Sequence, residues 1–461
     1  MKVQVFLSLA AAVISAVSAS PLSARLLNPN PIVKPSGDPF YKVPSNVATF
    51  TEGEIIRERD VTFQIGSGLS PLNYDKAYQL LYRTQTALGK PDATVTTVFK
   101  PRVPLSPPQV VSVALFEDSA SFDCATSYAL TTFSSSQQAL ITTIQTSTIA
   151  ALLAKGIYVT APDYEGSQAA FIAGYAEGRV QLDSARAILN HRKTIANPAG
   201  NRIILTGYSG GGHSAGWASQ LYPEYAPELN IVGAAFGGLP VDLRAVLVNL
   251  NKGLFAGFAA AGLAGQANAY PEVQQYLDSQ LLPNGTEAFK FLRSDQGCVI
   301  GELAAFAFKD IFSYTRKGMA VLDDPVPVKY FKLNLLGGRG QQDVLNKFPL
   351  FIYHARNDEV IPRQPVDQYV KEQCAAGASI NYSLSDGTEH VSETLVSIPA
   401  VLEWVFKRFD GTLKQTGCTT STHSPFGNSD LVALMGKDAA AQYQKYASFN
   451  QQALADKAGV K

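Results

Sequence analysis

The chain is poor in charge, in cysteine and histidine, and in long apolar runs, and each scarcity narrows what it can be. Charged residues make up 16% of its 461 positions, 38 Lys+Arg balance 38 Asp+Glu, and 46% of the chain is hydrophobic. Such a composition excludes a disordered, charge-driven polymer and is that of a globular protein. Zero formal charge supplies no basic stripe to displace counterions from phosphates, so nucleic acid is not an expected partner. None of the 4 Cys forms a CxxC pair, which argues against a zinc or redox motif. No repeat of fixed period runs through the sequence, which excludes a solenoid or propeller. Beyond the N-terminus the longest apolar stretch, 254–263, is short of the about 20 residues a bilayer crossing needs. No transmembrane segment is expected in the mature chain.

The N-terminus has Lys2, an apolar run over 3–17 and the small residues Val17-Ser18-Ala19, the pattern of a secretory signal spanning 1–19. A secreted, extracellular protein follows. In that oxidising compartment an even set of cysteines, Cys124, Cys298, Cys374 and Cys418, implies two structural disulfides, whose pairing the sequence leaves open. Asn284-Gly285-Thr286 and Asn381-Tyr382-Ser383 are candidate N-glycosylation sites.

Residues 20–44 are rich in Pro, Ser and Asn and read as an extended arm with little core of its own. Apolar spacing predicts a helix over 74–88, and β-branched runs predict strands over 93–99 and 110–116 that pair with each other. Strict alternation follows: helix 137–155, strand 157–161, helix 169–189, strand 202–206, helix 212–221 and strand 231–236. Apolar strands separated by helices imply an α/β fold with a mainly parallel sheet covered on both faces. The alternation lapses over 242–347, read as an insertion, and resumes with strand 350–354, helix 365–375, strand 380–384 and one long helix over 392–406. The expected organisation is therefore a signal (1–19), an N-terminal arm and helix (20–90), a discontinuous core (91–241 and 348–418), the insertion (242–347) and a polar tail (419–461).

Gly207-Tyr208-Ser209-Gly210-Gly211 follows a strand and opens a helix. A strand turning sharply into a helix thrusts the central side chain outward, and glycine on either side lets the neighbouring backbone pass. Ser209 is thus the candidate nucleophile, and the Gly210 N–H at the helix start is the first candidate oxyanion donor. A serine nucleophile needs a base, and there are only 5 His. In this kind of fold the chain order is Ser, acid, His. His191 precedes Ser209, His213 lies one helical turn after it in a packing position, and His354 ends a strand ahead of any fitting acid. His390 follows strand 380–384 and is the candidate base, with His423 in reserve. Asp358, just beyond strand 350–354, is the candidate acid that orients the imidazole; Glu359, Asp386 and Glu389 are its weaker competitors. Phe116-Glu117-Asp118-Ser119 sits where a second oxyanion donor is expected. An ionised carboxylate cannot donate, so a backbone N–H or a protonated Asp118 would have to serve; spacing alone favours a helix cap there. Asp163-Tyr164-Glu165-Gly166 reads as a turn and helix cap.

Taken together with Phe171-Ile172-Ala173-Gly174-Tyr175, the segment 225–234, Phe255-Ala256-Gly257-Phe258 and Glu389-His390, these motifs resemble the fungal secretory lipases, a group of α/β-hydrolases. The resemblance runs from about residue 39 to 418. It implies an α/β-hydrolase fold, a triad of Ser209, Asp358 and His390, and an oxyanion hole using Asp118 with Gly210. It further implies disulfides Cys124–Cys298 and Cys374–Cys418, and a lid at 242–347 with a groove or tunnel for an acyl chain. The Ala- and Gln-rich tail, with Lys437, Gln442 and Lys445, departs from the likeness.

The expected activity is a secreted serine lipase, a monomer without metal or cofactor, acting on lipid esters at an oil–water interface through an acyl-enzyme. An esterase for short soluble esters, a serine peptidase and a catalytically silent binding protein are the rival readings.

Overall fold

A computed structural model describes residues 32–66, 72–132, 134, 138–338, 348–386, 388–423, 431–435, 437, 440–441 and 443–444. The expected signal at 1–19 and Gln442 and Lys445 of the tail lie outside the described residues. Ten strands form one sheet: β1 (Ile55–Asp60), β2 (Tyr74–Gln85), β3 (Pro91–Pro101), β4 (Gln109–Ala114), β5 (Tyr158–Pro162), β6 (Arg202–Tyr208), β7 (Ile231–Gly237), β8 (Leu350–Ala355), β9 (Ile380–Ser385) and β10 (Thr419–His423). Their spatial order is β1-β2-β3-β5-β4-β6-β7-β8-β9-β10. The pairs from β1 to β3 and the β3–β5 pair are antiparallel, and every pair from β5 through to β10 is parallel.

The central strands read as continuous apolar runs because both faces are covered. Ile203 and Leu205 of β6 point to a face packed by α2 (Gly174–Asn190) and α3 (Gly210–Tyr225), whereas Ile204 points to the other, packed by α1 (Gln138–Ala154). Leu350 and Ile352 against Phe351 and Tyr353 divide β8 in the same way. The sheet thus has the expected mainly parallel, two-faced arrangement of an α/β-hydrolase.

The 242–347 segment contains α4 (Leu243–Leu250), α5 (Ala256–Ala269), α6 (Pro271–Gln280), α7 (Pro283–Leu292), α8 (Val299–Phe306) and α9 (Pro325–Leu333). Its buried side chains, among them Leu247, Ala260, Leu277 and Phe312, join the same apolar cluster as Trp217 of α3 and Leu205 of β6. The insertion has no separate core; it is built onto one face of the sheet. Cys124–Cys298 ties it to the segment after β4, and Cys374–Cys418 ties α10 (Arg363–Ala375) to the segment before β10.

Several expectations are corrected. The segment predicted as a helix over 74–88 is β2, paired along its length with β3 through a turn in which Gly89 N–H bonds Thr86 O. Its Tyr, Leu and Thr side chains suit either structure locally, and the non-local pairing decides. The strands predicted to pair, now β3 and β4, do not; β5 lies between them. The single helix predicted over 392–406 is two, α11 (His390–Val396) and α12 (Ile398–Asp410), with Pro399 in the first turn of the second, where its missing N–H costs nothing. The core starts before 91, since β1 and β2 belong to the sheet, and extends past 418, since β10 lies parallel to β9. A short helix, α13 (Leu431–Met435), follows. The described part of the arm is docked: Tyr41 is buried, its hydroxyl 2.8 Å from Ser127 Oγ, and the Arg59 guanidinium stacks over Phe40.

Candidate active site

Four site residues project from the carboxyl ends of four strands: Asp118 after β4, Ser209 after β6, Asp358 after β8 and His390 after β9. From β4 the chain crosses to β5 on one side, and from β6 to β7 on the other. The strand order reverses there, and the diverging connections leave a crevice at the strand ends.

Ser209 sits at φ 56°, ψ −122°, a conformation uncommon for a non-glycine residue, with its N–H bonded to Gly237 O at 3.0 Å. The turn is possible because no side chain intervenes: a Cβ on Gly207 would lie 2.0 Å from Gly211 O, and one on Gly211 would lie 2.1 Å from Ala114 O. As the first residue of α3, Gly210 has an N–H with no intrahelical acceptor.

His390 Nε2 is 2.8 Å from Ser209 Oγ, and His390 Nδ1 is 2.7 Å from Asp358 Oδ2. Asp358 Oδ1 accepts the N–H groups of Val360 at 3.0 Å and Ile361 at 2.7 Å. Burial alone would raise the Asp358 carboxyl, but the facing His390, the nearby His354 and the Ile361 N–H hold it below the usual carboxylate range. Burial works against a charged His390, yet Asp358, and behind it Glu359 and Asp118, lift the imidazole above its ordinary value.

The competitors of the triad residues have other partners. Glu359 Oε2 accepts the backbone N–H of His390 at 2.8 Å, fixing the start of α11. Asp386 pairs with Arg356, and Glu389 closes a capping box with Ser392 at the head of α11. His354 is wholly buried beside the acid, its Nε2 3.2 Å from Ile361 O and 3.6 Å from Asp358 Oδ2, and burial pushes its pKa down. His213 lies between the Trp217 indole N–H, 3.0 Å away, and the Glu177 carboxylate, a satisfied packing role. His191 bridges Thr194 and Glu58. His423 ends β10 opposite Ser385, so a strand does lead up to it.

Asp118 is not a helix cap. It is buried at φ 46°, and its Oδ1 accepts the Tyr164 hydroxyl at 2.8 Å. A Cβ on Gly210 would lie 1.9 Å from that oxygen, so the absence of a side chain at 210 admits the carboxyl to the serine. Burial, reinforced by Glu177, pushes the Asp118 carboxyl up to about 7. Asp163 does cap a helix, but a different one from its own: its carboxylate takes the Ser127 N–H at 2.7 Å at the head of the turn Thr126–Ala129. Sequence reasoning missed the supports of the base loop. Glu393, buried, accepts the Thr388 and Ser385 hydroxyls, and the Tyr208 hydroxyl donates to His390 O at 2.9 Å. Tyr208 lies inside the motif that marked Ser209; nothing local distinguishes Glu393.

Ser209, Gly210 and Asp118 line a pocket whose empty space, open solvent included, is about 1010 Å³. Leu243, Val246, Leu247 and Leu250 of α4, Phe258, Gly262 and Leu263 of α5, and Val273 and Leu277 of α6 are among the other residues that line it. Of the glycosylation candidates, Asn284 is exposed, while Asn381 is half-buried in β9 with its Oδ1 accepting from Ser421.

Comparison with known proteins agrees with this architecture. The family model described as Secretory lipase matches residues 131–417. A lipase A of Moesziomyces aphidis is 36% identical over 94% of this chain and 94% of its own length. A secreted triacylglycerol lipase of Malassezia globosa is 35% identical, with 84% of each chain covered. The solved structure of Candida antarctica lipase A in its closed state superposes with a TM-score of 0.85 at 35% identity, covering 90% of this chain and 96% of that one. Among the described residues no helix is long and apolar enough to cross a membrane. With the family model spanning more than half of the sequence and such relatives spanning most of it, the chain belongs to the secretory lipase family and is an ester hydrolase of lipase type.

Proposed function

We propose that the protein is a secreted lipase that hydrolyses triacylglycerols and related lipid esters through an acyl-enzyme on Ser209. His390 takes the Ser209 proton as Oγ attacks the ester carbonyl, and Asp358 stabilises the imidazolium that forms. The carbonyl oxygen, now anionic, takes the Gly210 N–H and a hydrogen from Asp118, whose buried carboxyl keeps its proton up to about pH 7. His390 then protonates the departing alcohol, and water repeats the cycle to free the fatty acid.

The observation that carries the substrate assignment is the cavity: Ser209 lines it together with mostly aliphatic and aromatic side chains of 242–347, a lining that suits a hydrocarbon chain. On this reading 242–347 is the lid and acyl-binding unit, 1–19 is a signal that directs secretion, Asn284 carries a glycan, and a monomer works at the oil–water interface. The test is the initial rate on esters of increasing acyl length, above and below their solubility limit, with Ser209→Ala as the blank. Rates that persist on long emulsified chains support a lipase. Rates confined to short dissolved esters would make it a soluble esterase with the same triad.

A further inference from the structure

The Asp163-Tyr164-Glu165 turn, which the reaction as derived above does not use, bonds Glu117, Asp118 and Ser119 of the segment that carries Asp118. The Tyr164 hydroxyl oxygen accepts the Glu117 N–H at 3.3 Å while the hydroxyl hydrogen is donated to Asp118 Oδ1 at 2.8 Å. Glu165 Oε1 accepts the Ser119 N–H at 3.1 Å, and in return the Glu165 N–H reaches Glu117 Oε2 at 3.4 Å. Three consecutive residues of one loop are thus held by two of another, by reciprocal bonds that are all buried. The turn is itself rigidly placed: Asp163 N–H bonds Val95 O of β3 at 2.9 Å, and its carboxylate grips Thr126 and Ser127.

Asp118 needs such support. It lies in the left-handed region without being glycine, and a carboxyl group has two equivalent oxygens that a free rotation would exchange. With Oδ1 occupied as the acceptor from Tyr164, a proton on the carboxyl belongs on Oδ2, the oxygen free to donate elsewhere. The far side of the loop is fastened to the insertion by Ser119 Oγ donating to Gly297 O at 2.9 Å and by Asn268 Nδ2 donating to Ala120 O at 3.1 Å.

We propose that Tyr164 and Glu165 are positioning residues for ester hydrolysis, Tyr164 orienting the Asp118 carboxyl toward the developing oxyanion and Glu165 fixing the backbone of its loop. This rests on the oxyanion role given to Asp118 above and extends it to residues outside the triad. A group that stabilises only the transition state affects kcat and leaves substrate binding alone, whereas a merely structural contact would show in the unfolding midpoint.

The experiment measures kcat, KM, thermal unfolding and the rate of Ser209 labelling by an organophosphonate, whose phosphonyl oxygen occupies the oxyanion position. It compares wild type with Tyr164→Phe, Glu165→Leu and Glu165→Gln. Tyr164→Phe removes one oxygen atom and keeps the ring, so the fold is expected to survive. The expected result is a fall in kcat and in labelling rate of about 10–100-fold, with KM within about twofold. Glu165→Leu should behave alike, and Glu165→Gln, which keeps the acceptor for Ser119, should recover to within about threefold of wild type. A folded Tyr164→Phe with wild-type kcat overturns the orienting role, and a Gln variant as slow as the Leu variant overturns the Ser119 contact. A wild type that neither hydrolyses esters nor labels overturns the triad reading itself, and the positioning role with it.

Discussion

Two buried aspartates lie in the site around Ser209, and their surroundings act on them in opposite ways. On the β8–β9 side Asp358 faces an imidazole and accepts two backbone N–H groups, so its negative charge is kept despite burial. On the β4–β5 side Asp118 has one hydroxyl donor, and burial, reinforced by the Glu177 carboxylate, pushes its pKa up to about 7. On the proposed mechanism one side chain supplies an anion to stabilise an imidazolium, the other a neutral acid to meet an oxyanion. The surroundings, not the residue type, set the role.

Replacing the charged partner should have the largest effect. Asp358→Asn is expected to lower kcat by about 10⁴-fold while leaving the fold intact, because the amide presents the wrong hydrogen-bonding group to His390 Nδ1. Asp118→Leu, which removes the neutral donor, should cost about 10²–10³-fold. Asp118→Asn keeps a hydrogen to donate and should lose far less, so steady-state kinetics on the three variants separates an anion from a donor.

The pH profile sharpens the same contrast. His390 must be neutral to accept the proton, so kcat/KM should fall as pH drops through a value above the ordinary 6.5. Asp118 must keep its proton, so wild-type kcat/KM should also fall as pH rises through about 7. In Asp118→Asn the alkaline limb should vanish and the acid limb remain. An unaltered alkaline limb would remove the carboxyl proton from the mechanism and leave the backbone N–H as the donor.

The cavity offers a milder perturbation. A Cβ placed on Gly262 meets nothing within 4 Å, and the residue lines the cavity, so Gly262→Phe should fill acyl space without disturbing the fold. Activity on long chains should drop by about 10-fold or more relative to short ones, as read from the chain-length profile.

The smallest effect concerns stability. Glu302 of α8 is wholly buried, both of its carboxyl oxygens lack a hydrogen-bond partner among the described residues, and burial raises its pKa well above 4.5. The folded state therefore holds that proton more tightly than the unfolded chain does. Its favourable contribution is complete below about pH 4.5 and fades as the pH rises through the folded value. Glu302→Met should raise stability by about 1–3 kcal/mol at neutral pH and less at pH 4, in thermal unfolding followed at both pH values.

Much of this site was legible in advance. The Ser209 turn announced itself because the glycines it requires are local, at 207, 210 and 211, and the order of the late strands favoured His390 over His423 and Asp358 over Glu359, Asp386 and Glu389. The β2 strand was missed because its residues suit a helix equally well until β3 lies beside them. The long helix over 392–406 was drawn through Pro399, where the geometry needs His390 to start a helix of its own, with Glu359 and Glu389 at its head. His354 was rejected as a base but not seen as the neighbour of Asp358, since their proximity depends on how the chain turns after β8.

By itself the sequence determined the alternation of apolar strands and helices, the nucleophile turn and the acid–base pair, because each depends on residues close together in the chain or on strand order. Only the tertiary structure decided that Glu117, Asp118 and Ser119 meet Tyr164 and Glu165, that the insertion shares its core with the sheet, and that one aspartate's pKa is held down while its counterpart's is pushed up. Those outcomes depend on burial and on partners brought from distant parts of the chain, and desolvation acts only once the chain has closed around the group.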